Sequence, residues 1–318
     1  MFRRFALVAY ALAAFVMPSA AQTDAAPEKL PVVATFSILA DLVKNVGGDR
    51  VAVSALVGPN ADSHVYSPSP ADAKTVADAK VVVTNGLGFE GWMDRLIKSS
   101  NTRAPNIVAT KGIKPRKMAG QHSHGHKHGH KHGHKHRHGH DHGDGDPHAW
   151  QSVPNVKIYV ANIRDGLIAA DPAGKETYEA NARAYLEELD ALDREVREAI
   201  ARIPADRRKI ITTHDAFGYF QDAYKVRFIS PQGVSTDSEA SARDVARIIQ
   251  QIRKEKIPAV FMENVSDDRL LKRIAGETGA KVGGTLYSDA LTDEKGDAPT
   301  YIDLIRHNIR TLSAALTT

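Results

Sequence analysis

Fifteen histidines and no cysteine set the chemistry open to this 318-residue chain. Without thiols there is no disulfide, no thiolate metal site and no cysteine nucleophile. Imidazole and carboxylate are therefore the donors to follow. Eleven of the histidines fill every even position of one stretch: His122, His124, His126, His128, His130, His132, His134, His136, His138, His140 and His142. They alternate with Gly, Lys and a few other residues, none aliphatic or aromatic. Such a stretch buries nothing and is expected to be a mobile, solvated loop offering many weak, interchangeable metal sites.

The other four histidines are His64, His148, His214 and His307. His307 sits among Ile305, Arg306 and Asn308 and reads as a surface residue of the last helix. His64 follows the β-type run Val51–Val57, and His148 lies in Asp146-Pro147-His148-Ala149-Trp150. His214 ends the run Lys209–Thr213, and Asp289 follows Val282–Tyr287. Ligands of open α/β sheets bind outside the carboxyl ends of strands. Three of these candidates stand at such ends, and each half of the chain supplies two. Three imidazoles and a carboxylate form a suitable closed tetrahedral shell for zinc. Taken singly, each is as readily a hydrogen-bonded loop histidine or a turn-forming aspartate. The joint placement carries the reading.

The elements that must position these side chains alternate. Pro31–Phe36, Val51–Val57, Val81–Asn85 and Ile107–Ala109 read as strands, with a helix over Ile38–Val46 closed by Gly47-Gly48. Asp171-Pro172 reads as a helix start, with Asp as cap and Pro in the first turn, and after it apolar residues from Tyr178 to Ile203 recur at helical spacing. A helix over Lys175–Ile203 would be roughly 43 Å long, long enough to span two lobes. The second half repeats the pattern. Strands are expected at Lys209–Thr213, Val226–Ile229, Ala259–Glu263 and Val282–Tyr287, and helices at Ala216–Tyr224, Ala242–Ile252, Asp267–Thr278 and Thr300–Leu312. Strands separated by helices imply parallel sheets. The expected fold class is α/β: two lobes, each a mainly parallel sheet flanked by helices, joined by one long inter-lobe helix.

Residues 1–21 read as a secretory signal peptide. Arg3 and Arg4 precede an apolar run, and Pro18-Ser19-Ala20-Ala21 supplies the cleavage site. With no cysteine there is none to carry a lipid, so the mature chain is expected to be soluble outside the cytoplasm. The formal charge of +4 is unevenly spread. Arg3 and Arg4 contribute two, and 122–142 carries four bases against Asp141, so the remainder is slightly acidic. No basic stripe suggests nucleic acid. The Gly-rich stretch Asn85–Gly91 lacks the phosphate-binding spacing, and neither H-E-x-x-H nor G-x-S-x-G occurs.

Over nearly the whole mature chain the sequence resembles the periplasmic solute-binding proteins of zinc and manganese ABC importers, the cluster A-I metal-binding type. The resemblance rests on Ala61-Asp62-Ser63-His64-Val65-Tyr66-Ser67-Pro68-Ser69-Pro70, Asp146-Pro147-His148-Ala149-Trp150, Thr213-His214-Asp215-Ala216-Phe217-Gly218-Tyr219-Phe220 and Leu286-Tyr287-Ser288-Asp289. It implies metal ligation by His64, His148, His214 and Asp289, with no catalytic residue. Manganese-type members carry Glu where this chain has His214, and the histidine-rich loop resembles zinc-type members. The chain departs from the family at Ser63, where Pro is frequent, and at Ser67, where Glu is common.

The implied organisation is a signal peptide at 1–21 and an amino-terminal metal-binding lobe at 28–150, with the flexible histidine-rich loop at 120–145. Connecting helices follow at 152–204 and a carboxyl-terminal metal-binding lobe at 205–318. The implied function is periplasmic zinc capture for an ABC permease, with Zn2+ as cargo and the loop as accessory collector. A periplasmic zinc chaperone is a further expected partner, and the expected state is a monomer. The alternatives are a manganese carrier, a zinc storage or buffer protein, and a zinc hydrolase whose ion is held by three histidines and a water.

Overall fold

The computed structural model describes residues 28–117 and 145–317. The expected signal peptide and all eleven loop histidines lie outside the described residues. The amino-terminal sheet contains β1 (Leu30–Phe36), β2 (Val51–Val57), β3 (Val81–Thr84) and β4 (Asn106–Val108). Its order is β2-β1-β3-β4, all parallel. Helices α1 (Ser37–Gly47), α2 (Pro70–Asp78) and α3 (Met93–Ser100) connect the strands. Val81, Val82 and Val83 are buried on both faces, as the apolar run of an inner parallel strand requires. Helix α2 starts on a capping box: the Ser69 side chain accepts from the Asp72 N–H, and Asp72 accepts from the Ser69 N–H.

A two-residue antiparallel pair, β5 (Arg116–Lys117) with β6 (Gly145–Asp146), closes this lobe. Helices α4 (Val153–Ala170) and α5 (Lys175–Ala201) then run across the molecule. The carboxyl-terminal sheet contains β7 (Lys209–Ile211), β8 (Arg227–Ile229), β9 (Ala259–Glu263) and β10 (Lys281–Leu286). Around it lie α6 (Gly218–Tyr224), α7 (Ala242–Glu255), α8 (Arg269–Thr278) and α9 (Tyr301–Leu316). Its order is β10-β9-β7-β8, again all parallel. Counted from one edge, β2-β1-β3-β4 and β8-β7-β9-β10 are the same order, 2-1-3-4 from each sheet's own first strand.

The fold is thus the expected two-lobed α/β arrangement. Helix α5 turns Tyr178, Ala182, Tyr185, Leu189, Leu192, Val196 and Ile200 inward, the stripe that the sequence spacing marks. It packs on α1 of one lobe, on α9 of the other, and on α4. At 27 residues it spans roughly 40 Å. One apolar core runs from β1 and α1 through α4 and α5 to α9, and a smaller one lies under α7 and α8. Leu192 is fully buried in the continuous core. Replacing it with Ala is expected to cost about 2–5 kcal/mol, measured as a lowered midpoint in denaturant unfolding. No helix among the described residues is long and apolar enough to cross a membrane.

Two details differ from expectation. Asp171 does not cap α5. A 3-10 turn, Pro172–Gly174, precedes the helix, and the Asp171 carboxylate accepts from Arg50 (2.8 Å) and from the Tyr178 hydroxyl (2.7 Å). His307 is not a surface residue. Because α9 lies along β10, His307 is half-buried, with Nε2 3.1 Å from the Thr285 carbonyl and its ring against Tyr287.

Candidate metal centre

His64, His148, His214 and Asp289 come together, with one donor atom from each lying within 4.8 Å of all the others. They lie beyond carboxyl ends of strands of both sheets and of β6. His64 is on the loop after β2, His148 two residues after β6, His214 just after β7 and Asp289 just after β10.

Local hydrogen bonds fix each ligand's backbone. Asp62 Oδ1 accepts the His64 N–H (2.8 Å), and Asp146 Oδ1 accepts the His148 N–H (3.0 Å). Both are side-chain-to-backbone turns two residues long. The Trp92 indole donates to the Ser63 carbonyl at 3.0 Å. The Asp289 segment is gripped by the opposite lobe. Trp150 Nε1 and Gln151 Nε2 both donate to the Ser288 carbonyl, at 2.8 and 2.7 Å. Ser37 Oγ accepts the Leu291 N–H at 3.0 Å.

Donor spacing matches a four-coordinate ion. His64 Nε2 lies 3.2 Å from His148 Nε2 and 3.3 Å from Asp289 Oδ2. His214 Nε2 is 3.1 Å from Asp289 Oδ2, and His148 Nε2 is 3.7 Å from Asp289 Oδ1. Bonds of about 2.0–2.1 Å to a tetrahedral ion put neighbouring donors roughly 3.3 Å apart. His148, His214 and Asp289 are fully buried, and the His64 side chain is 6% exposed. Asp289 Oδ1 has no hydrogen-bond partner among the described residues. A buried carboxylate oxygen left without a donor, facing imidazole nitrogens, is what a cation would complete.

Two more carboxylates stand behind the imidazoles. Asp146 Oδ1 lies 2.9 Å from His148 Nδ1. Glu263, the last residue of β9, accepts the N–H groups of Thr213 (2.7 Å) and His214 (3.0 Å) on Oε1. Its Oε2 stands 2.5 Å from His214 Nδ1, an ion-pair contact that is not aligned as a hydrogen bond. Each carboxylate favours the proton on Nδ1, which turns Nε2 of the same ring toward the centre. Glu263→Gln is therefore expected to weaken metal binding by about 10–100-fold in a competitive titration.

Electrostatics reinforce this frame. Burial by itself would raise the Asp289 carboxyl, but His214 and His148 beside it hold it well below the usual carboxylate range. Burial by itself would lower His214, but Glu263 and Asp289 on either side push it well above the usual imidazole value. Without metal, the two carboxylates favour the protonated form of the His214 ring.

Neither outer carboxylate is a sequence-predicted site residue. Asp146 carries a local signal, an Asp two residues before a His. Glu263 carries none, since it lies 49 residues beyond the histidine it supports. The Gly-rich stretch after β3 turns its amides inward: the Asn85 and Gly86 N–H groups donate to the Glu90 carboxylate, which occupies them in place of any phosphate.

Residues 32–315 match the family described as ZnuA, "Zinc-uptake complex component A periplasmic". The chain is 35% identical over 286 residues to the iron-binding protein YfeA of Yersinia pestis, covering 90% of this chain and 86% of that one. It is 32% identical over 291 residues to the manganese-binding lipoprotein MntA of Halalkalibacterium halodurans, covering 91% and 89%. Among solved structures, the periplasmic zinc binding protein TroA of Treponema pallidum superposes with a TM-score of 0.81 at 29% identity, over 92% of this chain and 100% of that one.

Proposed function

Because the chain belongs to the family of periplasmic zinc-uptake component A proteins, the metal-binding substrate-binding proteins of ABC importers, we propose that its cargo is zinc. His64, His148, His214 and Asp289 hold the ion, and an ABC-type membrane permease receives it. The family is one of binding proteins, and the chain is not an enzyme. A hydrolytic zinc ion needs an open position for water, and four protein donors leave none.

The observation that supports zinc is the donor set: three imidazole nitrogens converge on one carboxylate. Borderline zinc favours imidazole, whereas manganese favours more oxygen. The names of the relatives favour one second reading, manganese or iron as cargo. In the zinc reading, lobes 28–150 and 205–318 each give two ligands, so the ion staples them together. Residues 1–21 direct secretion, and the mature chain is a soluble monomer. The histidines of 122–142 collect zinc or receive it from a periplasmic chaperone.

The test is a competitive zinc titration of mature protein lacking His122–His142, with a manganese challenge. One tight zinc site that manganese does not displace is the expected result. Displacement by manganese establishes the second reading. Absence of a tight site moves the function into the histidine segment, as storage or buffering.

A further inference from the structure

Of the four clustered side chains, His64 alone is not fully buried. It sits in residues 58–69, which form neither helix nor strand. Its backbone is held by Asp62, and Asp62 is held in turn from the other lobe. Asp62 Oδ1 accepts the His64 N–H at 2.8 Å, while Asp62 Oδ2 accepts from the Thr236 hydroxyl at 2.5 Å. Each carboxylate oxygen thus takes one donor, one from each lobe. A hydroxyl donating to an ionised carboxylate is a charge-assisted bond, roughly twice as strong as a neutral one.

Thr236 lies on the loop between β8 and α7. That loop carries none of the four clustered residues, yet it is built onto the His214 segment. The Gln232 N–H donates to the Thr213 carbonyl at 3.3 Å, and the Asp215 N–H donates to the Gly233 carbonyl at 2.9 Å. The loop therefore grips the chain on both sides of His214, and Thr236 reaches from it across to Asp62. A second bond ties the His64 loop to the carboxyl-terminal lobe: the Asn60 N–H donates to the Leu291 carbonyl at 2.8 Å. The Asn60 tie is backbone to backbone. The Thr236 tie depends on a single hydroxyl.

We propose that Thr236 is a positioning residue for the ion: acting through Asp62, its hydroxyl holds His64 at the centre and couples it to the His214 segment. The proposal rests on the reading that the four residues above hold the cargo. Separation of the lobes breaks the Thr236 bond, and the Asp62 turn beneath His64 loses its outer support. His64 must swing away before the ion leaves, so the hydroxyl acts mainly on release.

Two substitutions in the full chain test this. Thr236→Val keeps the side-chain shape and removes the hydroxyl, and Thr236→Ser keeps the hydroxyl. In metal-free protein, amide hydrogen exchange at His64 is expected to quicken about ten-fold in Thr236→Val, with exchange at His148 unchanged. In stopped-flow transfer to a chelator, zinc is expected to leave Thr236→Val about ten-fold faster, with Kd weakened to match, the low end for losing an outer support of a ligand. Thr236→Ser is expected to restore both to the parental values. Unchanged exchange at His64, unchanged zinc dissociation in Thr236→Val, or a Thr236→Ser variant that behaves like Thr236→Val each overturn the positioning role. Failure of the zinc reading looks different: the unmodified chain then shows no tight zinc stoichiometry, whereas the exchange measurement needs no metal.

Discussion

Replacing Asp289 with Ala is expected to weaken zinc binding by more than about 100-fold. Losing a partner that merely orients a ligand costs about 10–100-fold, and in the proposed site Asp289 is both a donor and the only carboxylate among the four residues. Its oxygens lie 3.1–3.7 Å from all three imidazole Nε2 atoms. Its removal takes away the charge closest to the ion and leaves three histidines with one open side. The segment stays in place, because its grip is through backbone atoms: the Ser288 carbonyl and the Leu291 N–H. A competitive titration, with circular dichroism to verify folding, measures the effect. An affinity within about ten-fold of the parent would remove Asp289 from the ligand set.

The second large effect is on pH. In the metal-free protein, Glu263 and Asp289 push His214 well above the ordinary imidazole range, which favours its protonated form at neutral pH. An ion bound at Nε2 needs that ring neutral, and binding must expel the proton. Raising the pH toward the elevated His214 value therefore favours metal, and lowering it favours the proton. Asp289, held well below the usual range, stays ionised throughout and adds no slope. Zinc affinity is expected to fall about ten-fold per pH unit between roughly pH 7.5 and 6. Calorimetry near neutral pH in buffers of different ionisation enthalpy should show about one proton released per ion. Zero release would mean that His214 is neutral before metal arrives.

The alternation of strands and helices is legible in the sequence because inner parallel strands are short apolar runs and α5 carries a long inward stripe. The four donors stand out because few histidines lie outside the repetitive stretch and three candidates follow strands. Less visible are the supports. Glu263 reaches His214 only through the pairing of β9 with β7, a contact between distant segments with no local pattern. The grip of Trp150 and Gln151 on the Ser288 carbonyl is hidden for the same reason, since a backbone acceptor has no residue-type signature. The polar neighbours of His307 suggest a surface position, and only the packing of α9 on β10 makes it a partly buried residue.

The shared 2-1-3-4 strand order makes the molecule two variations on one scaffold, yet the lobes assign their metal-facing duties differently. In the amino-terminal lobe the loop after the second strand carries His64, while the corresponding loop after β8 carries none of the four clustered residues. In the carboxyl-terminal lobe the residues after the first strand carry His214, while the corresponding turn after β1 offers Ser37 as a clamp on Leu291. A repeated framework with interchangeable loop positions lets donors be redistributed between halves while the sheets stay as they are. Changes of metal preference can then evolve through single loop residues, with the architecture inherited intact.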